Sequence, residues 1–236
     1  MGRASQPLVV GLGGAIKGFW GTCKLNSTER QLREAMVDHG RQLFDRRFTH
    51  GSTGNLSVRT DEGILITPTG TSLGRLDPDR IAKVSNSGEH LAGEKPSKEA
   101  FLHLSMYRAR PKELAIVHLH STWSVAVSCL KGIDADNVLP PITAYQQMRV
   151  GQCPLVPYYP PGDASLAAAV ERVATRAKAM LLANHGPVVA AKSLAGAVAA
   201  AEELEETAKL FMLLRGDSVR WLTEPQCQEL RERFPD

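Results

Sequence analysis

Apolar positions along this chain follow two rhythms: one with the helical period of three to four residues, the other short apolar runs bounded by turn residues. The stretch NSTERQLREAMVDHGRQLFDRRF, from Asn26, sets Leu32, Met36, Leu43 and Phe44 near helical spacing, with Ser27 or Thr28 as N-cap. GNLSVRT and GILITPTG read as short strands joined by the turn Asp61-Glu62-Gly63. Ser97 is expected to start a helix over SKEAFLHLSMYRAR, which stops before Pro111. ELAIVHLH reads as a strand and STWSVAVSCL as the helix after it. CPLVPYY is extended, and Asp163 caps the helix ASLAAAVERVATRA. AMLLANHGPVVAA is a strand, a turn and a strand, and Ser193 caps a long helix through Leu214. This irregular alternation favours a three-layer α/β domain over residues 26–236, without internal repeat or long linker.

The first 25 residues break the pattern. MGRASQPLVVGLGGAIKGFWGTCKL is glycine-rich and poor in acidic residues. Gly11 and Gly13 match the first two glycines of G-x-G-x-x-G, but Ile16 stands at the third, so the dinucleotide fingerprint fails. Glycines and Lys17 interrupt the apolar stretch a signal peptide needs. Residues 1–25 are read as an extension without chemistry. Composition adds only exclusions. A net charge of +3 on 236 residues, with no basic tract, gives no sign of nucleic acid as a partner. No apolar run approaches the roughly 20 residues of a membrane span. Cys23, Cys129, Cys153 and Cys227 form no C-x-x-C pair and read as free thiols of a reducing, cytoplasmic setting.

The chemistry begins at AIVHLHSTWS. Alternate strand residues share a face, so His118 and His120 project to the same side. Two neutral imidazoles side by side can bind a divalent ion, zinc above all. Such a pair is also an ordinary surface feature, so a site needs a third ligand. His185, in the Asn-His-Gly turn of LLANHGPVVA, supplies it. By itself it reads as a turn residue. With the pair it completes three histidines around an open coordination position, as catalytic zinc requires.

HGSTGNLSVR, LITPTG, KPSKEAFLH, AIVHLHS and ANHGPVVA occur in this order at spacings that resemble the class II aldolase/adducin family, across nearly everything from Asn26 on. That family includes fuculose-phosphate and other sugar-phosphate aldolases, ribulose-phosphate 4-epimerases and the non-enzymatic head domain of adducin. PSKE and AYQQMRVGQCPLVPYYPPGD resemble one branch, the 3-oxo-tetronate 4-phosphate decarboxylases. The resemblance implies a three-layer α/β/α class II aldolase-like fold with a central, mainly antiparallel sheet. It implies His118, His120 and His185 as metal ligands. Glu99 is then the acid/base, which also touches the metal when no substrate is bound. Asn55, Thr69, Gly70, Ser97 and Lys98 are the implied holders of phosphate. It further implies one Zn2+ per subunit, another divalent ion being the alternative, and a small phosphorylated sugar acid as substrate. The implied assembly is a homotetramer with active sites at subunit interfaces, to which a neighbour contributes a proton-donating tyrosine. Tyr145 matches that tyrosine with an offset of about one residue.

Bland readings stand beside these. GSTGN is also a plain turn, Glu99 a first-turn carboxylate favoured by the helix dipole, Lys98 a solvated lysine and Tyr145 an interface side chain. Yet Gly51, Gly54 and Gly70 let backbone N–H groups approach an anion, and Ser97 at a helix start favours negative charge. Three functions follow: a decarboxylase of a 3-oxo-tetronate 4-phosphate, an aldolase or 4-epimerase of a related sugar phosphate, and an adducin-like binding module without activity. The three histidines and Glu99 argue against the last.

Overall fold

The computed structural model describes residues 1, 28–160 and 162–235. Apart from Met1, the extension expected at residues 1–25 lies outside the described residues, and Cys23 with it. The elements run α1 (Glu29–Asp45), β1 (Asn55–Thr60), β2 (Gly63–Ile66), β3 (Ala82–Ser85), β4 (His90–Ala92), α2 (Ala100–Ala109), β5 (Ala115–His118) and α3 (Thr122–Ser128). They continue with α4 (Ala144–Arg149), β6 (Leu155–Val156), α5 (Ala164–Ala174), β7 (Ala179–Leu182), β8 (Gly186–Ala191), α6 (Leu194–Leu213) and α7 (Glu224–Arg233).

One sheet of order β4-β3-β2-β1-β5-β8-β7-β6 forms the middle layer. Every pairing is antiparallel except β6 with β7. Strand alternation divides the core in two. Leu56, Val58, Leu65, Val117, Leu181 and Val189 pack on the side of α1 and α6. Ile64, Ile66, Ile116, Met180, Val188 and Ala190 pack on the side of α2 and α5. The expected three-layer α/β/α arrangement is the one observed. β1 departs from the apolar pattern. The face opposite Leu56 and Val58 carries Asn55 and Ser57, both buried.

Local signals account for most boundaries. Thr28 caps α1 in a capping box with Gln31, Asp163 accepts from the Ser165 N–H, and Ser193 accepts from the Gly196 N–H. α3 is capped differently. Its N-cap Ser121 donates its hydroxyl to the Phe48 carbonyl instead. Buried Glu205 of α6 takes over, accepting from the Trp123 and Ser124 N–H groups and the Ser124 hydroxyl, each within 2.8 Å. This fixes the chain just after His120. Glu205→Ala strands three donors in the interior and should cost about 3 kcal/mol or more, read as a lower urea midpoint at unchanged slope. A variant as stable as wild type would mean that α3 finds other acceptors.

Two expected boundaries need correction. The helix over Ser97 starts three residues later. The Ser97 N–H donates to the Thr67 carbonyl, and Pro96 bridges to Pro68, so this segment is held to the sheet until Glu99. Ser97 to Ala100 form a turn, and Glu99 is the N-cap. The strand expected to carry both His118 and His120 ends at His118.

Candidate metal centre

Four side chains from four places converge at one end of the sheet. His118 is the last residue of β5, and His120 follows it before α3. His185 lies in the β7–β8 turn, and Glu99 precedes α2. Each offers a ligand atom, and these atoms lie within 4.8 Å of one another. His120 Nε2 is 3.2 Å from His118 Nε2 and 3.1 Å from His185 Nε2. Glu99 lies 3.4 Å from His118 Nε2 and 3.3 Å from His185 Nε2.

The local backbone makes this convergence possible. Asn184 takes a left-handed conformation with φ 57°, which asparagine tolerates. Gly186 then passes so close to the neighbouring loop that a Cβ there would sit 2.2 Å from the Leu119 carbonyl oxygen. Only glycine lets the His185 turn lie against the segment that carries His120.

A metal ion fits these donors. The Pro187 carbonyl lies 2.8 Å from His118 Nδ1, which fixes the proton there and leaves the Nε2 lone pair facing the cluster. Burial holds His118 below the ordinary imidazole range. Burial, reinforced by His118 and His185, pushes His120 down to about 3. Neutral imidazole is the ligand form. Nitrogens about 2.1 Å from a shared zinc in a tetrahedral shell lie about 3.4 Å apart, close to the spacing seen. Glu99 stays ionised. Burial is the largest single influence and opposes the charge, but His118, His185 and the Asn55 amide together outweigh it and hold the carboxyl well below its usual range.

The residues expected to hold phosphate come from three adjoining segments. Leu56, next to Asn55, exchanges hydrogen bonds with Thr67 through the Leu56 carbonyl and the Thr67 hydroxyl. The Thr69 N–H donates to the Lys95 carbonyl, beside the Thr67–Ser97 bond. Thr69–Gly70 and Ser97–Lys98 therefore lie side by side, next to Glu99. Gly70 has φ 71°, and a Cβ there would meet nothing within 4 Å, so its backbone is open to a ligand. Lys98 is exposed, in the turn before α2. Asn55 is placed differently from what a simple phosphate ligand requires. One amide N–H donates to Glu99 Oε2 at 2.7 Å, and its carbonyl faces His103 at 2.5 Å. One N–H remains for an anion.

Sequence reading missed other residues around the site. A cavity of about 580 Å³ opens beside His120 and His185, lined also by His50, Thr122, Val125, Asn184, Tyr158 and Tyr159. The two tyrosines belong to the PLVPYYPPGD segment, whose apolar setting hid their direction. Tyr145 does not line this cavity. It is exposed on α4, which packs against α6 and α7, and Arg149 lies over its ring at 5.5 Å.

Comparison with known proteins places this geometry. Residues 34–212 match the model of the Class II Aldolase and Adducin N-terminal domain. A 3-oxo-tetronate 4-phosphate decarboxylase from Escherichia coli (strain K12) is 51% identical over 204 residues, covering 86% of this chain and 96% of the relative. An L-fuculose phosphate aldolase from Haemophilus influenzae is 31% identical over 207 residues, covering 86% and 94%. The crystal structure of YgbL from Escherichia coli superposes with a TM-score of 0.84 at 50% identity, covering 86% of this chain and 99% of that one.

Proposed function

The chain belongs to the class II aldolase/adducin family, and from that membership we propose that it is a carboxy-lyase acting on a 3-oxo-tetronate 4-phosphate. The observation that carries the enzymatic reading is the cluster of Glu99, His118, His120 and His185, whose ligand atoms lie within 4.8 Å of one another. A pure binding module has no need of it. The choice of bond rests on the relatives. Identity is 51% to the decarboxylase and 31% to the aldolase over comparable lengths.

The substrate is a β-keto acid. Loss of CO2 from C1 leaves an electron pair on C2, delocalised onto the C3 oxygen as an enediolate. Protonation at C2 gives dihydroxyacetone phosphate, so one proton enters for each CO2 released. Glu99 is the proposed carrier of that proton from solvent to carbon. His118, His120 and His185 hold the ion. Zinc, when bound, supplies a Lewis acid beside the developing negative charge. Thr69, Gly70, Ser97, Lys98 and the remaining Asn55 N–H are the proposed phosphate holders.

Zinc is the proposed ion, one per subunit, because three imidazoles and a carboxylate suit it. Residues 26–236 are taken as one catalytic domain. A homotetramer with sites at subunit interfaces is part of the same proposal, with Tyr145 donating a proton to a neighbour's site. A cytoplasmic setting fits the free thiols Cys129, Cys153 and Cys227, and no helix among the described residues is long and apolar enough to cross a membrane.

The deciding experiment incubates zinc-loaded protein with a panel of phosphorylated 3-oxo acids and ketose 1-phosphates, following CO2 and aldehyde release. CO2 from a four-carbon 3-oxo acid phosphate supports the reading. Aldehyde release from ketose phosphates without CO2 makes the protein an aldolase.

Lys98 gives a narrower test. A lysine gripping the substrate carboxylate stabilises a charge that disperses in the transition state, and so slows the chemical step. On the phosphate it anchors a charge that does not change. Lys98→Ala is therefore expected to raise KM strongly, to leave kcat less affected and to make binding less salt-sensitive. A higher kcat at unchanged KM would put Lys98 on the carboxylate.

A further inference from the structure

Behind the metal cluster, α2 and β1 interlock through buried polar side chains. Glu99, His103 and Tyr107 recur every four residues on one face of the helical segment. Asn55 and Ser57 recur every two on one face of the strand. Four helical residues rise about 6 Å and two strand residues about 6.7 Å, so the two series stay in step. The contacts alternate between them. The Asn55 amide donates to Glu99 Oε2 at 2.7 Å. Asn55 Oδ1 is 2.5 Å from His103 Nε2. His103 Nδ1 is 2.7 Å from the Ser57 hydroxyl, which is 3.0 Å from the Tyr107 hydroxyl. His103 and Ser57 are fully buried, and Asn55 and Tyr107 nearly so.

The geometry orders the protons along most of this chain. The Asn55 amide N–H is the donor to Glu99 Oε2. The Asn55 carbonyl then faces His103, where only an N–H satisfies it, so Nε2 carries the proton. A neutral imidazole has one N–H, so Nδ1 accepts, and the Ser57 hydroxyl donates to it. The Tyr107 hydroxyl at the end of the chain has the Ser57 carbonyl at 3.1 Å and the Ser57 hydroxyl oxygen at 3.0 Å as acceptors. Burial keeps His103 neutral by pushing it down to about 3.

We propose that His103 is a positioning residue: as the Nε2–H tautomer it locks the Asn55 carboxamide so that the amide N–H, and not the carbonyl, faces Glu99. The proposal rests on Glu99 being the acid/base. His103 touches neither the metal donors nor the cavity; it acts through Asn55. With its N–H removed, the buried Asn55 carbonyl loses its partner, and the carboxamide is held at the Glu99 end alone. The carboxylate then keeps a less firmly fixed donor and loses part of its aim.

Two measurements on the zinc-loaded full chain test this. The first is nitrogen-15 NMR of the His103 ring, which needs no substrate. Protonation at Nε2 alone near neutral pH is the expected result; a proton on Nδ1, alone or with one on Nε2, overturns the proposal. The second is kinetic, on whichever substrate the panel identifies. His103→Leu fills similar space without an N–H, whereas His103→Gln places an amide N–H near the lost one. Outer partners of metal sites typically contribute about 10- to 100-fold. The expected fall in kcat for His103→Leu lies in that range, with KM and zinc content near wild type and most of the loss recovered in His103→Gln. Full kcat in His103→Leu, or equal damage in both variants, assigns His103 to packing alone. If His103→Leu does not fold, His103→Phe serves, with the same expected fall in kcat; full kcat in that variant also assigns His103 to packing alone. Wild-type protein inert on the whole panel ends the lyase reading, and the tautomer measurement then judges His103 alone.

Discussion

His120→Ala should lose its metal and its activity together. Three imidazoles converge on one point, and the replacement leaves two of them with Glu99. Zinc sites with fewer than three firm protein ligands hold the ion weakly. Losing an outer partner of a metal ligand already costs about 10- to 100-fold, so losing the ligand itself should exceed about 100-fold in affinity. Elemental analysis after dialysis should find about one zinc per wild-type chain and little in the variant. Added zinc should raise the melting temperature of metal-free wild type, because it binds the folded chain, and raise that of the variant far less. His120 is the informative choice because it is less buried than His118, so its truncation disturbs packing less. Full metal in a folded His120→Ala protein would remove His120 from the ligand set. Full metal with lost turnover would give it a role toward substrate instead.

How much of this site the sequence revealed depends on the range of the interactions involved. His118 and His120 were legible because strand periodicity puts alternate residues on one face, and the face persists past the last paired residue of β5. His185 was legible because Asn-His-Gly is a turn signal, although the closeness of Gly186 to Leu119 is a tertiary fact. Thr28, Asp163 and Ser193 announced their helices by local capping. The missed elements lack apolar contrast. β4 is fully exposed, β3 alternates buried with half-buried residues over four positions, and α7 buries only Cys227. The start of α2 was misplaced because Ser97 is held by Thr67, thirty residues earlier in the chain. The chain of Asn55, His103, Ser57 and Tyr107 was invisible for a related reason. Its spacings of two and four carry meaning only once β1 and α2 are known to face each other. Polar residues on such faces read as exposed until then.

Glu99→Gln should separate binding the metal from moving the proton. Glutamine keeps the shape of the side chain and loses the titratable group. Its amide oxygen can still accept from the Asn55 N–H, so the side chain has reason to stay in place. Its amide nitrogen then faces His185, where a neutral group replaces a charge. The three imidazoles remain, so zinc should be largely retained, with affinity reduced by the lost carboxylate. Proton delivery to C2 has no such reserve, because an amide is neither an effective acid nor an effective base at working pH. Turnover should therefore fall by about 100-fold or more, the usual effect of removing a general acid/base, with KM much less affected. The comparison with His120→Ala is what makes the test sharp. Both variants are expected to be slow, but only one should lack metal. Near-normal turnover in a zinc-loaded Glu99→Gln protein would take the proton-transfer role from Glu99 and give it to another group lining the cavity. Loss of zinc comparable to that in His120→Ala would make Glu99 chiefly a ligand.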